Sequence, residues 1–323
     1  MNVLVTGGSG YIGSVTVEQL LDRGCDVVVF DNLERGHRAA IDPRARLIEG
    51  DLCEAGAIRS AMDRVRPDAV MHFAAYALVA ESMQVPERYF RNNVVGGVNL
   101  LDAMLACGVP RIVFSSTCAV YGRPERVPIT EDHPQRPVNP YGESKWMFEK
   151  MLRWHEECRG LQWVALRYFN AAGATVRCGE DHAPETHLIP NILRVALGQA
   201  DRVSVYGDDY DTADGTAVRD YIHILDLAQA HILALEGKGS GVFNLGAGTG
   251  FSVNDVLSVA RAVTGHPIPA VMCPRRPGDP DRLVADARRA RELLGWKPAY
   301  PDLQPIIASA WAWHRAHPRG YAA

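Results

Sequence analysis

Apolar residues fall along this chain in short solid runs separated by stretches of helical period. Asn2 to Thr6 is the first run, dominated by Val and Leu. A strand so uniformly apolar is covered on both faces. Behind a glycine-rich turn, Ile12, Val15, Leu20 and Leu21 recur on one helical face, with Glu18, Gln19 and Asp22 opposite. The beat then repeats. Strands are predicted at Val27–Phe30, Arg46–Asp51, Ala69–Ala75, Arg111–Ser115 and Trp163–Arg167. Helices are predicted at Ala55–Val65, at about Pro86–Ala106 ending before Gly108, and at about Tyr141–Cys158.

Strict strand–helix alternation predicts an α/β fold: a doubly wound, Rossmann-type parallel sheet with ligands at the strands' carboxyl ends. Beyond Phe169 the rhythm breaks. Ala171–Glu185 reads as a polar loop. Helices follow at Leu188–Gly198, Leu225–Leu235 and Val253–Val263, then near Ala287–Leu294 and Leu303–His314, with extended pieces at Val203–Tyr206, Val218–His223 and Val242–Leu245. A smaller mixed α/β part is expected here. Residues 1–168 are expected to bind a dinucleotide, segments such as 218–245 returning to that unit. Residues 169–323 are expected mainly to bind substrate, across a cleft.

Composition removes several classes. A net charge of −4 and the lack of a basic stripe with interleaved aromatics argue against nucleic acid as a partner. No apolar run approaches membrane-spanning length, so no membrane is expected. Seven scattered cysteines with no C-x-x-C pair read as reduced thiols of a cytoplasmic protein. Eleven histidines show no H-E-x-x-H or comparable spacing, so no metal is expected.

The turn after the first strand carries Gly8-x-Gly10-x-x-Gly13, overlapping Gly7-x-x-Gly10-x-x-Gly13. A pyrophosphate on a helix N-terminus needs bare backbone N–H groups, and side chains there would hold it off. Glycine turns also occur as mere tight turns; the second strand's terminal acid strengthens the reading. Asp31 can accept from both ribose hydroxyls and would repel a 2′-phosphate, which favours NAD over NADP. Arg35 and Arg38 nearby work the other way, and Asp31 can also cap a turn with Asn32.

Tyr141-Gly142-Glu143-Ser144-Lys145 is the strongest chemical signal. Tyr and Lys at i and i+4 share one helix face. An ammonium ~4 Å away at an effective dielectric near 20 contributes ~4 kcal/mol toward a phenolate, roughly three pKa units before desolvation. Such a phenolate can remove a hydroxyl proton while hydride leaves the same carbon. Thr117, after the fifth strand, can bridge Tyr141 and a substrate oxygen. Ser115 and Ser116 can instead satisfy strand-end groups.

With these motifs the chain resembles the extended short-chain dehydrogenase/reductase family, in particular its branch that epimerises sugar nucleotides at C4. The likeness runs through Gly10–Ser14, Asp31–Leu33, Leu166–Asn170, Asp214-Gly215-Thr216, Val218–His223, Asn244–Gly248, Arg275–Asp279 and His317–Tyr321, essentially the whole chain. It implies interconversion of UDP-glucose and UDP-galactose through transient oxidation at C4, with UDP-N-acetylhexosamines or UDP-pentoses as alternative substrates. A non-epimerising NAD-dependent oxidoreductase or a non-catalytic NAD sensor is a weaker alternative. The resemblance implies NAD contacts from Gly7, Gly10, Tyr11, Ile12, Gly13, Asp31, Asn32, Leu33, Arg35, Gly36, Asp51, Leu52, Phe73, Ala74, Ala75, Asn92 and Phe169, together with Thr117, Tyr141 and Lys145. It implies UDP-sugar contacts from Thr117, Tyr141, Asn170, His187, Leu188, Ser204, Val205, Tyr206, Arg219, Arg276 and Asp279. A homodimer through the two long helices is implied as well. Departures are Val15 for a frequent His, Ala77 for a cofactor-contacting Lys, and His187 for Asn. Leu283 stands where a residue's bulk limits the sugar pocket. Cys118-Ala119 after Thr117 lack the Asp-Glu pair that sugar-nucleotide dehydratases use.

Overall fold

The computed structural model describes residues 1–237, 239–276 and 278–321. Its centre is a seven-stranded sheet of β1 (Asn2–Thr6), β2 (Asp26–Asp31), β3 (Arg46–Glu49), β4 (Ala69–His72), β5 (Arg111–Ser115), β6 (Gln162–Tyr168) and β11 (Gly241–Leu245). The spatial order is β11-β6-β5-β4-β1-β2-β3, and every pairing is parallel. Strand order therefore reverses between β1 and β4, which opens a crevice at their carboxyl ends.

The solid apolar runs are explained by two-sided cover. Val3 and Val5 pack with α1 (Tyr11–Asp22) and α8 (Ile224–Glu236) on one face. Leu4, pointing the other way, packs with α2 (Ala55–Val65), α5 (Gly96–Cys107) and α6 (Pro140–Arg159). Two short helices, α3 (Val79–Ser82) and α4 (Pro86–Tyr89), precede α5. The expected helix from Pro86 is there, but Phe90–Val95 forms a wider π turn inside it. That turn buries Asn93, as such turns often do near functional sites.

Beyond β6 the chain alternates between the sheet and a smaller region. β7 (Asn170–Ala172) pairs with β10 (Tyr221–His223), so the stretch read as loop from Ala171 begins as a strand. The extended piece Val218–His223 splits at Asp220 into β9 (Val218–Arg219) and β10. The split has a local cause. The Asp220 carboxylate accepts N–H bonds from Ala247, Gly248 and Ala285, and burial pushes it up to about 6. A Cβ on Gly246 would come within 2.4 Å of Asp220 Oδ2, which accounts for the bare backbone there.

The chain then returns through α8 to β11, as expected for 218–245. The smaller region holds α7 (Leu188–Ala196), α9 (Val253–Thr264) and α11 (Leu303–Ala316) around a second core with Ile192, Val205 and Ile306. Its strands are β8 (Val203–Tyr206) beside β13 (Ala270–Cys273), and β9 between β12 (Phe251–Ser252) and β14 (Arg282–Leu283). α10 (Arg288–Leu293) packs near β11. No helix of the described residues is long and apolar enough to cross a membrane.

Candidate active site

The crevice begins at the glycine turn. Gly7 has φ +75°, and a Cβ there would lie 2.4 Å from Ala74 N. A Cβ on Gly13 would lie 2.1 Å from Gly7 O, so α1 sits hard against the turn. Gly10 caps α1 with extended backbone, no side chain caps it, and its first turn holds no acid. The N–H groups of Tyr11, Ile12 and Gly13 therefore head a helix whose dipole favours a pyrophosphate. Gly36 lies so near that a Cβ would overlap Ser9 Oγ at 1.9 Å.

Asp31 ends β2 and is 8% exposed. Its oxygens accept from Ser9 N at 3.0 Å and Leu33 N at 2.9 Å, leaving lone pairs for ribose hydroxyls. It thus caps the local turn and can hold the ribose at once. The two arginines near the site of a 2′-phosphate are engaged: Arg35 pairs with Glu81 at 2.7 Å and reaches Ala183 O, and Arg38 pairs with Glu49. Asn32 donates to Asp51, whose other oxygen takes Cys53 N, and Leu52 is buried beside them. Phe73 and Ala74 leave β4 on hydrogen bonds to Thr6 O, with Ala75 next. Asn92 donates to Asn93, and Asn93 donates to Ser144 on α6. These residues fit an NAD molecule laid across the switch point.

The candidate acid–base groups sit just beyond β5 and at the start of α6. Asn139 Oδ1 caps α6 by accepting from Gly142 N at 2.8 Å. Gly142 has no room for a side chain against Ala119 O. The start of α6 is thus pressed onto the turn after Thr117, with Tyr141 and Lys145 8% and 4% exposed. Lys145 Nζ donates to Ser115 O at 2.8 Å and lies over the Phe114 ring. Thr117 Oγ1 accepts from Ala119 N, so its hydroxyl proton stays available. The two serines are occupied elsewhere, Ser115 with Tyr168 OH at 2.7 Å and Ser116 with Glu149 at 2.5 Å.

One expectation is corrected. The net effect of the protein's own groups is to raise the Tyr141 phenol. Burial holds it well above its ordinary value, the Tyr168 phenol adds to this, and the Thr117 hydroxyl draws it down. Burial also brings Lys145 down to about 7, opposed by the Glu149 carboxylate. Desolvation dominates at this phenol, and a bound oxidised nicotinamide would add positive charge beside it. Glu149 is itself held in a buried pair with Arg167, whose Nε donates at 3.0 Å; Arg167 also donates to Tyr121 OH at 2.9 Å. Removing one member of such a pair costs about 3–5 kcal/mol.

Across the crevice, Arg219 pairs with Asp279 at 2.5 Å, and the Arg276 guanidinium lies 4.1 Å from the centre of the Tyr206 ring. Asn170 heads β7, with Phe169 just before it. His187 caps α7 and Leu188 opens it. Ser204 and Tyr206 face outward on β8, but Val205 is 1% exposed. The two-residue period of a strand turns its side chain into the core, so a nucleotide contact at Val205 would come from its backbone. Pro277, within the expected Arg275–Asp279 motif, lies outside the described residues.

Asn93, Glu149 and Tyr168 escaped individual notice in the sequence. For Glu149 a signal existed, since it follows Lys145 by four on the same helix. Glu180, His182 and Glu185 also escaped notice, although they surround His187. Glu180 Oε1 lies 2.8 Å from His187 Nδ1 and 3.3 Å from His182 Nδ1. Burial alone would lower both imidazoles, but these carboxylates raise His182 to about 9 and His187 to about 10.

A phosphate cradle, a ribose-holding acid and a buried phenol–ammonium pair at a sheet's switch point define a Rossmann enzyme that works with a bound dinucleotide. More narrowly, the chain belongs to the NAD dependent epimerase/dehydratase family, which it matches over residues 3–246. A UDP-glucose 4-epimerase of Streptococcus mutans is 54% identical over 330 residues, covering 99% of each chain. A crystal structure of UDP-glucose 4-epimerase superposes with a TM-score of 0.97 at 48% identity over 99% of each chain. The Bifidobacterium longum UDP-glucose 4-epimerase, solved with NAD+ and UDP, gives 0.94 at 39% identity, covering 99% of this chain and 100% of that one.

Proposed function

We propose that this enzyme interconverts UDP-glucose and UDP-galactose by inverting C4 of the hexose, with NAD as a retained cofactor. The observation that carries the reading is one buried helix face presenting Tyr141 and Lys145 beside the Thr117 hydroxyl. NAD, held by the Gly7–Gly13 turn and Asp31, would supply the hydride acceptor and donor for C4. Tyr141 Oη takes the proton of the 4-hydroxyl and later gives it back. Thr117 donates its free hydroxyl proton toward the same oxygens. Lys145 supplies positive charge below the phenol, and Glu149 opposes its loss of a proton. Inversion requires the keto sugar to turn over in place. That suits a site that grips the nucleotide through Arg219, Arg276 and Asp279, with Asn170, His187, Leu188, Ser204 and Tyr206 around it, and holds the hexose loosely. The division into a dinucleotide part, residues 1–168, and a mainly UDP-sugar part, residues 169–323, belongs to the same proposal.

Loss of water is disfavoured. Cys118 follows Thr117, and burial pushes its thiol up to about 12, so it cannot serve as an acid–base group near neutrality. Leu283 packs with Cys118 and Phe169 around Val120 and Tyr121, one wall of the crevice. Its intermediate bulk fits hexoses. Incubation with UDP-galactose, UDP-GalNAc and UDP-arabinose, followed by chromatographic separation, is expected to show fastest inversion of UDP-galactose. No product from UDP-galactose would refute the assignment.

A homodimer is part of the proposal. Val95, Val98 and Leu105 recur along the π turn and α5, and all three are exposed, as is Trp154 at 63% on neighbouring α6. Apolar side chains at that spacing suit a second copy. Sedimentation is expected to give twice the chain mass, and a single-chain species at micromolar concentration would contradict it. Seven free cysteines support a reducing, cytoplasmic setting.

A further inference from the structure

Glu180, His182, Glu185 and His187 follow one another as E-x-H-x-x-E-x-H on the loop entering α7. One donor atom from each lies within 4.8 Å of the others. The measured edges are 2.8 and 3.0 Å from His187 Nδ1 to Glu180 and Glu185, and 3.3 and 3.7 Å from His182 Nδ1 to the same two carboxylates. Four ligands around an ion at about 2.0–2.2 Å stand roughly 3.3–3.6 Å apart. Both glutamate side chains are nearly enclosed, 6% and 5% exposed. His182 Nδ1 is enclosed between the two carboxylates, 3.3 Å from Glu180 and 3.7 Å from Glu185, without a well-aligned hydrogen bond to either.

We propose that these four side chains form a binding site for one divalent cation of the zinc class. Two imidazoles and two carboxylates make an N2O2 set, which suits zinc better than calcium or magnesium. Without an ion the two carboxylates hold both imidazoles protonated, so a dication would bind by displacing those protons and taking their place as the counter-charge.

The surroundings hold the loop in place independently. His37 Nε2 meets Asp181 O at 2.9 Å, Arg35 reaches Ala183 O at 3.3 Å, and Tyr321 N donates to Asp181 Oδ2 at 2.9 Å. Tyr11, from the phosphate turn, packs edge-on against His182. A bound ion would therefore clamp the loop between the dinucleotide turn and the start of α7. The site shares His187 with the proposed nucleotide pocket, but its test reads metal and NAD content rather than turnover, so its failure is distinguishable from failure of the proposed activity.

The test is titration of chelator-treated, NAD-loaded protein with Co2+, then displacement by Zn2+. The expected result is one Co2+ per chain, with the visible spectrum of four nitrogen and oxygen ligands and no thiolate charge-transfer band. His182→Gln is expected to weaken binding more than about tenfold while keeping bound NAD and the far-ultraviolet circular dichroism of the parent. Less than one equivalent, a thiolate band from the cysteines, or undiminished binding by His182→Gln would each overturn the site. Glu185→Gln provides a second reading, expected to weaken Co2+ binding likewise.

Discussion

Tyr141→Phe is expected to slow epimerisation by about 10²–10⁴-fold, the range a positioned acid–base group contributes. The ring keeps its packing, and the substitution removes one oxygen. The cap of α6 uses Asn139, and Ser144 bonds the Tyr141 backbone carbonyl, so neither depends on the phenol. Bound NAD and the unfolding midpoint are therefore expected to stay near those of the parent. Initial rates of UDP-galactose conversion, with nucleotide content measured on the same sample, separate loss of the base from loss of the site. Near-parental turnover would exclude Tyr141 as the base.

Gly13→Ala is expected to strip the enzyme of its cofactor. A Cβ 2.1 Å from Gly7 O cannot be absorbed by a side-chain rotation, since the atoms it meets are backbone: Gly7 C and Gly8 Cα stand at 2.9 Å. Either the turn opens or α1 withdraws, and both remove the N–H groups from the pyrophosphate position. Forced overpacking of this kind costs typically ~1–3 kcal/mol, enough to disrupt a turn without unfolding the domain. Purified variant should release almost no NAD on denaturation and show activity at least roughly 100-fold lower without added cofactor. Full NAD occupancy would contradict the placement of the pyrophosphate.

Some of this was readable in the sequence for definite reasons. A strand buried on both faces has no polar side, so β1, β2, β4 and β5 announce themselves as solid apolar runs. Tyr141 and Lys145 are fixed by one helical turn, and the turn from Gly7 to Gly13 by local backbone geometry. What stayed hidden depends on partners far away in the chain. Glu149 means little until Arg167 arrives from β6, and Asp220 is one more acid in Val218–His223 until Ala247, Gly248 and Ala285 close around it. Asn93 is aimed by a π turn that the apolar pattern does not reveal. The phenol's environment was misjudged because charge separation can be guessed from helix spacing, whereas burial cannot.

The most direct measurement follows the hydrogen on C4. UDP-galactose carrying deuterium at C4, incubated with the enzyme in ordinary water, is expected to yield UDP-glucose with the deuterium still at C4. Transfer to and from a retained nicotinamide keeps the label, whereas the phenol exchanges only the hydroxyl proton. Product in which solvent hydrogen has replaced deuterium at C4 would contradict the account.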